Sequence, residues 1–290
     1  MLVANDSCIV RMKIGSLAKL VAKCWTSAEE ALRREIEQKH HDIDEEIITA
    51  LFRGELRQQC DQASANGEVV RAFSNDLRTA FPRIEQQAVT KIGAGLVAAV
   101  HFHPREVEKK TGGDLGVVIF RPDVCYATGS RSELAIEYKY GRGLLCQAKV
   151  FKRASDWGKL SVKQRANLSK RLEYLALLLY RYADQDRIRN QLEPFKWQLT
   201  SNRSMKEIND WFRSDNFPNI QQSEEILLGL AQGQFGTDDK RLIEELIIPT
   251  TRSTLEIHIK WGDGRGPGRK LDLRQSEYAS QGKQYVRASL

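Results

Sequence analysis

The feature that most constrains this chain is a change of texture after its first third. Up to about residue 65, apolar residues recur at helical spacing among charges: Leu32, Ile36, Ile43, Ile47, Leu51 and Leu56. Four short apolar blocks then follow in close succession, 96–103 (LVAAVHFH), 114–120 (DLGVVIF), 133–140 (ELAIEYKY) and 144–151 (LLCQAKVF). Each has the length of a strand and is bounded by glycine or proline. Helices, then clustered strands, then further helices predict an α/β protein: a mixed central sheet with helices on both sides. In detail, one helix is expected over 27–65, with Ser27 as N-cap, Glu30 completing a capping box and Gly67 ending it. A second helix spans 68–81 up to Pro82, and a short third spans 83–92. Gly141-Arg142-Gly143 reads as a tight turn that makes a hairpin of the last two strands. A long amphipathic helix is expected over 162–189, with Leu168, Leu172, Leu175, Leu179 and Tyr182 on one side. A strand at 195–200, helices at 205–213 and 223–230, and a strand at 254–261 complete the reading. The implied organisation is an N-terminal helical extension (1–43), a core (44–203), a C-terminal α+β extension (204–261) and a flexible basic tail (262–290).

Composition excludes several classes. Of 290 residues, 41% are apolar and 29% charged, which is a globular balance. No run approaches the ~18 apolar residues of a membrane span, and the N-terminus lacks a signal-peptide pattern. The five cysteines are odd in number, widely spaced and form no CxxC pair. That argues against a disulfide framework or a cysteine zinc site and for a reduced, cytoplasmic protein. The net charge of +7 is unevenly placed: from Lys139 to Arg171 ten basic residues face Asp156 alone, whereas from Glu29 to Glu68 eleven acids face five bases. A local basic block is the footprint of a polyanionic partner.

Inside that block lies the chemistry. Residues i and i+2 of a strand share a face, so Gln147 and Lys149 project together while Cys146, Ala148 and Val150 turn to apolar packing. Burying an amide and an ammonium requires partners, and Asp114, opening an earlier strand, supplies a carboxylate. A carboxylate, an amide oxygen and the main-chain carbonyl of Ala148 suit a hard divalent cation, magnesium or manganese, and Lys149 suits a phosphate.

The segments Thr111-Gly112-Gly113-Asp114-Leu115-Gly116 and Leu145-Cys146-Gln147-Ala148-Lys149 resemble the PD-(D/E)XK nuclease superfamily, in the variant with Gln in place of the usual Glu. The resemblance covers about half of the chain, residues 44–200. It implies a restriction-endonuclease-like core and a Mg2+- or Mn2+-dependent DNA endonuclease acting on double-stranded DNA, of the kind used in restriction and anti-phage defence. Asp114, Gln147 and Lys149 become the candidate catalytic residues. The further metal-binding carboxylate would come from a helix, with Glu55 first and Glu45 and Glu85 behind it, or from Glu108 on the segment before Asp114. Lys152, Arg153, Lys159, Lys163, Arg165 and Lys170 would hold phosphates without reading sequence. A nuclease of low specificity calls for control by a regulatory or sensor protein or by homo-oligomerisation. The alternative is a catalytically inactive nucleic-acid-binding or assembly subunit of a defence complex; RNA as substrate is a third reading. A rival site is spelled by Pro122-Asp123 with Glu137-Tyr138-Lys139, but there Gly141 follows at once and Asp123 reads as a turn.

Other signals carry less. His101 and His103 share a strand face, but no third ligand follows at zinc spacing, which favours structural histidines. Gly264-Arg265-Gly266-Pro267-Gly268 lacks the GK[ST] ending of a phosphate loop, and no GxSxG elbow is present. Trp157, among basic residues, reads as a packing residue with one wet edge.

Overall fold

The computed structural model describes residues 7–11, 14–38, 43–80, 82, 94–127, 133–152, 156–157, 160–182, 191–247, 254–260 and 285–289. It is an α/β protein in which N-terminal helices precede a mixed sheet with interspersed helices. The strands are β1 (Ser7–Arg11), β2 (Ala94–Phe102), β3 (Leu115–Ala127), β4 (Glu133–Lys152), β5 (Asp156–Trp157), β6 (Leu175–Arg181), β7 (Lys196–Leu199), β8 (Ile220–Gln222), β9 (Thr254–Lys260) and β10 (Tyr285–Ser289). The main sheet runs β8-β7-β6-β4-β3-β2-β9, and every adjacent pair in it is antiparallel except β4 with β6. β1 pairs with the far end of β3, β10 with the first half of β4, and β5 with the end of β4.

Helices cover both faces. α1 (Gly15–Glu37), α2 (Glu45–Ala65), α3 (Glu68–Ala80) and α7 (Ser223–Gln232) pack with Cys146, Ala148, Val150, Leu178 and Tyr180 in one apolar cluster. On the other face, α5 (Val162–Leu168) and α8 (Lys240–Leu246) pack with Val118, Leu145 and Leu175. There α6 (Met205–Ser214) also lies over Leu177 and Leu179. α4 (Arg105–Thr111) links β2 to β3. The first cluster runs from Ile14 to Ala231 and so crosses the expected boundaries at 43/44 and 203/204. An aromatic chain ties it together: Trp25 packs on Phe52 (ring centroids 4.7 Å apart) and Trp197 (5.5 Å), and Phe195 on Phe52 (5.1 Å) and Tyr180 (4.6 Å).

Three sequence expectations are corrected. The helix expected over 27–65 is two helices, and Ser27 lies inside α1 rather than capping it. α1 starts twelve residues earlier because its first N–H groups are capped from afar: the Asp76 carboxylate on α3 accepts from Ser16 N (2.6 Å) and Leu17 N (2.9 Å). No local sequence rule reports a cap of that kind. The expected hairpin at Gly141–Gly143 is one continuous strand, β4. A Cβ on Gly141 would sit 1.4 Å from Ile119 O, and the β3–β4 ladder shifts register between Ile119 and Arg121. The glycine marks a bulge where two backbones cross closely, not a turn. The long helix expected over 162–189 stops at Leu168; a 3-10 turn (Leu172–Tyr174) follows, then β6. LALLLYR is buried on both faces between β4 and β7, and such a strand is a continuous apolar run that helical spacing fits equally well.

The helix at 68–81 and the later elements at 195–200, 205–213, 223–230 and 254–261 are found within a few residues of their expected limits. The expected helix at 83–92 lies outside the described residues. So does the tail from 262 except Tyr285–Ser289, which is a strand paired with Glu133–Glu137. Among the described residues, no helix is long and apolar enough to cross a membrane.

Candidate active site

Asp114 reaches its place through the Thr111-Gly112-Gly113 turn. Gly112 takes a left-handed conformation (φ +82°) as the C-cap of α4, and its N–H donates to Glu108 O (2.7 Å). Gly113 lies so close to β4 that a Cβ would meet Leu145 Cδ1 at 2.6 Å. The turn therefore presses Asp114 against β4, where its N–H donates to Cys146 O (2.8 Å). His103 braces the turn from the other side. Its N–H donates to Asp114 O (2.7 Å), and its two ring nitrogens lie against Gly113 O (2.9 Å) and Leu246 O (3.1 Å). His101 packs edge-on to it, with ring centroids 5.1 Å apart. Burial lowers both imidazole pKa values, that of His101 to about 4. The histidine pair is thus built into the packing around the turn, and both ring nitrogens of His103 are occupied.

The Asp114 carboxylate accepts from Ala148 N (2.6 Å) and from the Gln147 side-chain amide. Gln147 also donates to Ala148 O (3.1 Å), while its buried Oε1 has no hydrogen-bond partner among the described residues. Lys149, buried beside it, points its ammonium at the two carboxylate oxygens of Glu45, both at 3.3 Å. Asp114, Gln147 and Lys149 are therefore gathered at one place, together with Glu45 from the first turn of α2.

Among the described residues, Glu45 and not Glu55 is the helix carboxylate that reaches this group. Glu55 stands ten residues further along α2, about 15 Å up the helix axis, and Glu85 lies outside the described residues. Glu108 borders the site: its carboxylate accepts from Gln164 Nε2 (3.1 Å), and its charge raises the pKa of both Glu45 and Asp114. Burial first, then the charge of Glu45, drives the Asp114 carboxyl well above its ordinary range, with Lys149 opposing. Burial likewise raises Glu45 against the pull of Lys149. Two carboxyl groups, Asp114 and Glu45, thus share one ammonium with Glu108 nearby, and each raises the cost of charging the others, a repulsion that a divalent cation would relieve.

Residues that sequence reasoning missed hold Glu45 in place. Tyr182 Oη accepts from Ile43 N (3.0 Å) and donates to Ile43 O (3.2 Å), just before α2 begins. Tyr180 Oη lies 3.3 Å from Thr49 Oγ1, one turn after Glu45. Tyr180 stands on β6 in register with Val150 near the end of β4, and Tyr182 directly after β6 bridges to Leu192. Their signal in the sequence is two hydroxyls at i and i+2 closing an apolar run, which is visible only if that run is taken as a strand.

Of the phosphate-binding candidates, Lys163, Arg165 and Lys170 lie on or just after α5, with Lys163 and Lys170 exposed. Lys152 ends β4; its side chain, Arg153 and Lys159 lie outside the described residues. The rival pair Asp123 and Glu137 are ladder partners, as are Arg121 and Lys139, but their side chains also lie outside the described residues. Trp157 pairs with Phe151 in the β4–β5 ladder. No protein-family model matches the chain, and no curated protein matches it in sequence.

Proposed function

We propose that this protein is a metal-dependent DNA endonuclease with a restriction-endonuclease-like core, acting in restriction or anti-phage defence. The observation that carries the reading is the buried Gln147 amide, whose Nε2 donates to the Asp114 carboxylate while its Oε1 has no hydrogen-bond partner among the described residues. An orphaned acceptor of this kind costs about 1–3 kcal/mol unless a ligand satisfies it, and an oxygen pair of one carboxylate and one amide suits Mg2+ or Mn2+. The residues present therefore fit the ion. With the Gln147 amide turned so that Oε1 replaces Nε2 beside Asp114 and Ala148 O, those three oxygens would hold it, and Glu108 would add charge nearby. When bound, the ion supplies a water of lowered pKa and neutralises phosphoryl oxygens. Lys149, oriented by Glu45, offsets the charge that develops on the phosphate and positions the attacking water. The order of elements supports the same core: α2 and α3, the antiparallel β2-β3-β4, then α5, then β6 parallel to β4.

The test is cleavage of plasmid DNA by the purified chain with Mg2+, beside Asp114→Ala and Lys149→Ala, with Asp123→Ala and Lys139→Ala in parallel. Loss of about 10²–10³-fold or more in the first pair alone is expected. Loss confined to the second pair would move the site to the β3–β4 arm. A second reading, a nucleic-acid-binding subunit without catalysis, draws on a specific observation. Among the described residues no group of three His, Cys, Asp or Glu side chains could hold a metal ion, and Gln147 brings no charge. DNA binding by the wild type with no cleavage under any divalent ion would favour it. Control by a sensor protein or by self-association belongs to the nuclease proposal.

A further inference from the structure

A groove separates α5 from α6 on the surface. Its volume is about 480 Å³, and it is lined from α5 by Arg165 and Ser169 and from α6 by Lys206, Asn209 and Arg213. On α6 these three residues recur at intervals of three and four and so form one face. The opposite face, Ile208 and Trp211, is buried over Leu177 and Leu179 of β6. Those two leucines are the ladder partners of Gln147 and Lys149. α5 is tied to the segment that delivers Asp114: Gln164 Nε2 donates to Glu108 Oε1 (3.1 Å) and Asn167 Nδ2 to Lys109 O (2.9 Å). Both walls are thus rigidly attached to strands or turns of the candidate active site. The lining has three cations and a single carboxylate, Asp210, which pairs with Arg213 at 3.6 Å through exposed side chains. Such a pair exchanges readily for a phosphate.

We propose that this groove carries the phosphodiester backbone of the DNA bound at the candidate active site, with Lys206 and Arg213 as phosphate contacts supplied by a helix outside the nuclease-like core. The inference rests on the nuclease reading and goes beyond it by assigning the path of the substrate. Charge decides the class of occupant, since Arg165, Lys206 and Arg213 outweigh Asp210. Contacts of this kind fix register without reading bases.

The experiment is fluorescence anisotropy with the full chain and a short fluorescein-labelled duplex in Ca2+ over a range of salt, together with Mg2+-dependent plasmid cleavage. The variants are Lys206→Glu/Arg213→Glu and the milder Lys206→Gln/Arg213→Gln, with circular dichroism to confirm folding. Arg78→Glu, on α3 outside the groove, shifts the total charge by as much as the neutral pair does and controls for that change. The proposal expects at least tenfold weaker binding for the reversed pair and a clear loss for the neutral pair. It also expects the dependence of log Kd on log salt to flatten by about 2, as for two lost phosphate contacts, with little change for Arg78→Glu. If wild type cleaves DNA while both groove variants bind it within twofold of wild type, the groove is overturned and the nuclease reading stands. If wild type neither binds nor cleaves DNA, the nuclease reading falls and the groove assignment with it. Binding of poly-glutamate in preference to DNA would overturn the assignment in favour of an acidic protein partner.

Discussion

Burial and the neighbouring charge of Glu45 hold the Asp114 carboxyl well above its ordinary pKa, against the pull of Lys149. A proton and a divalent cation then compete for the same oxygens. Raising the pH removes the proton, so Mn2+ affinity should climb as pH rises through the elevated Asp114 pKa and fall below it. Titration calorimetry at several pH values would read this, and proton release on binding should accompany it. An affinity that does not change with pH would contradict the assignment of Asp114 as ligand. A second buried carboxyl makes an independent prediction. Glu29, on α1, accepts from Ser223 Oγ, which in turn accepts from Trp197 Nε1 (2.7 Å). Burial, partly offset by the hydrogen bond from Ser223, pushes the Glu29 pKa up from 4.5 to about 7. Its neutral form is therefore favoured by folding. The contribution is complete below the unfolded value and is lost as pH rises through about 7, amounting to about 3 kcal/mol. Glu29→Gln should flatten the fall in stability between pH 4.5 and 7 in urea titrations; an unchanged pH profile would exclude this origin.

The helix start that carries Glu45 depends on a strand far away in sequence. Tyr182 makes both hydrogen bonds to Ile43, and Tyr180 meets Thr49. Tyr182→Phe removes the pair of bonds at about 1 kcal/mol each and frees the first turn of α2. The expected result is a loss of about 1–3 kcal/mol and a weaker Mn2+ affinity, while the conservative Tyr180→Phe is milder. Normal metal affinity in a destabilised Tyr182→Phe would reduce the tyrosine to a packing role. The turn before β3 has a different vulnerability. Gly113→Ala must displace Leu145 or the Asp114 backbone, so it should abolish cleavage with only moderate loss of stability. The same elements show what could be read in advance. The Gly-Gly-Asp turn and the i, i+2 pair Gln147 and Lys149 were legible because short-range geometry governs them. Glu45 was legible only as one of several helix carboxylates, because which turn of α2 faces Lys149 depends on how the helix lies across the sheet.

One apolar core joins the N-terminal helices to the strands that carry the site. Trp25 and Phe52 sit at its centre with Phe195 and Trp197. Phe52→Ala should cost about 3–5 kcal/mol and lower the midpoint of a single cooperative transition. Deleting residues 1–43 removes Trp25 and α1, and the remaining chain should fail to fold as a monomer. A folded, active 44–290 fragment by circular dichroism and cleavage would instead restore the boundary that charge and spacing imply. Residue order alone determined the α/β class, most strand and helix positions, and the pairing of Gln147 with Lys149 on one strand face, since period and turn chemistry act over a few residues; that Asp114 joins them was an expectation that the β3–β4 ladder realises. Tertiary structure decided the rest. It made LALLLYR a strand, because a segment buried on both faces carries no distinguishing period. It extended β4 through Gly141, because only the approach of Ile119 tells a bulge from a turn. It chose Glu45 over Glu55, because the packing of α2 against the strands sets which of its turns meets the buried ammonium of Lys149.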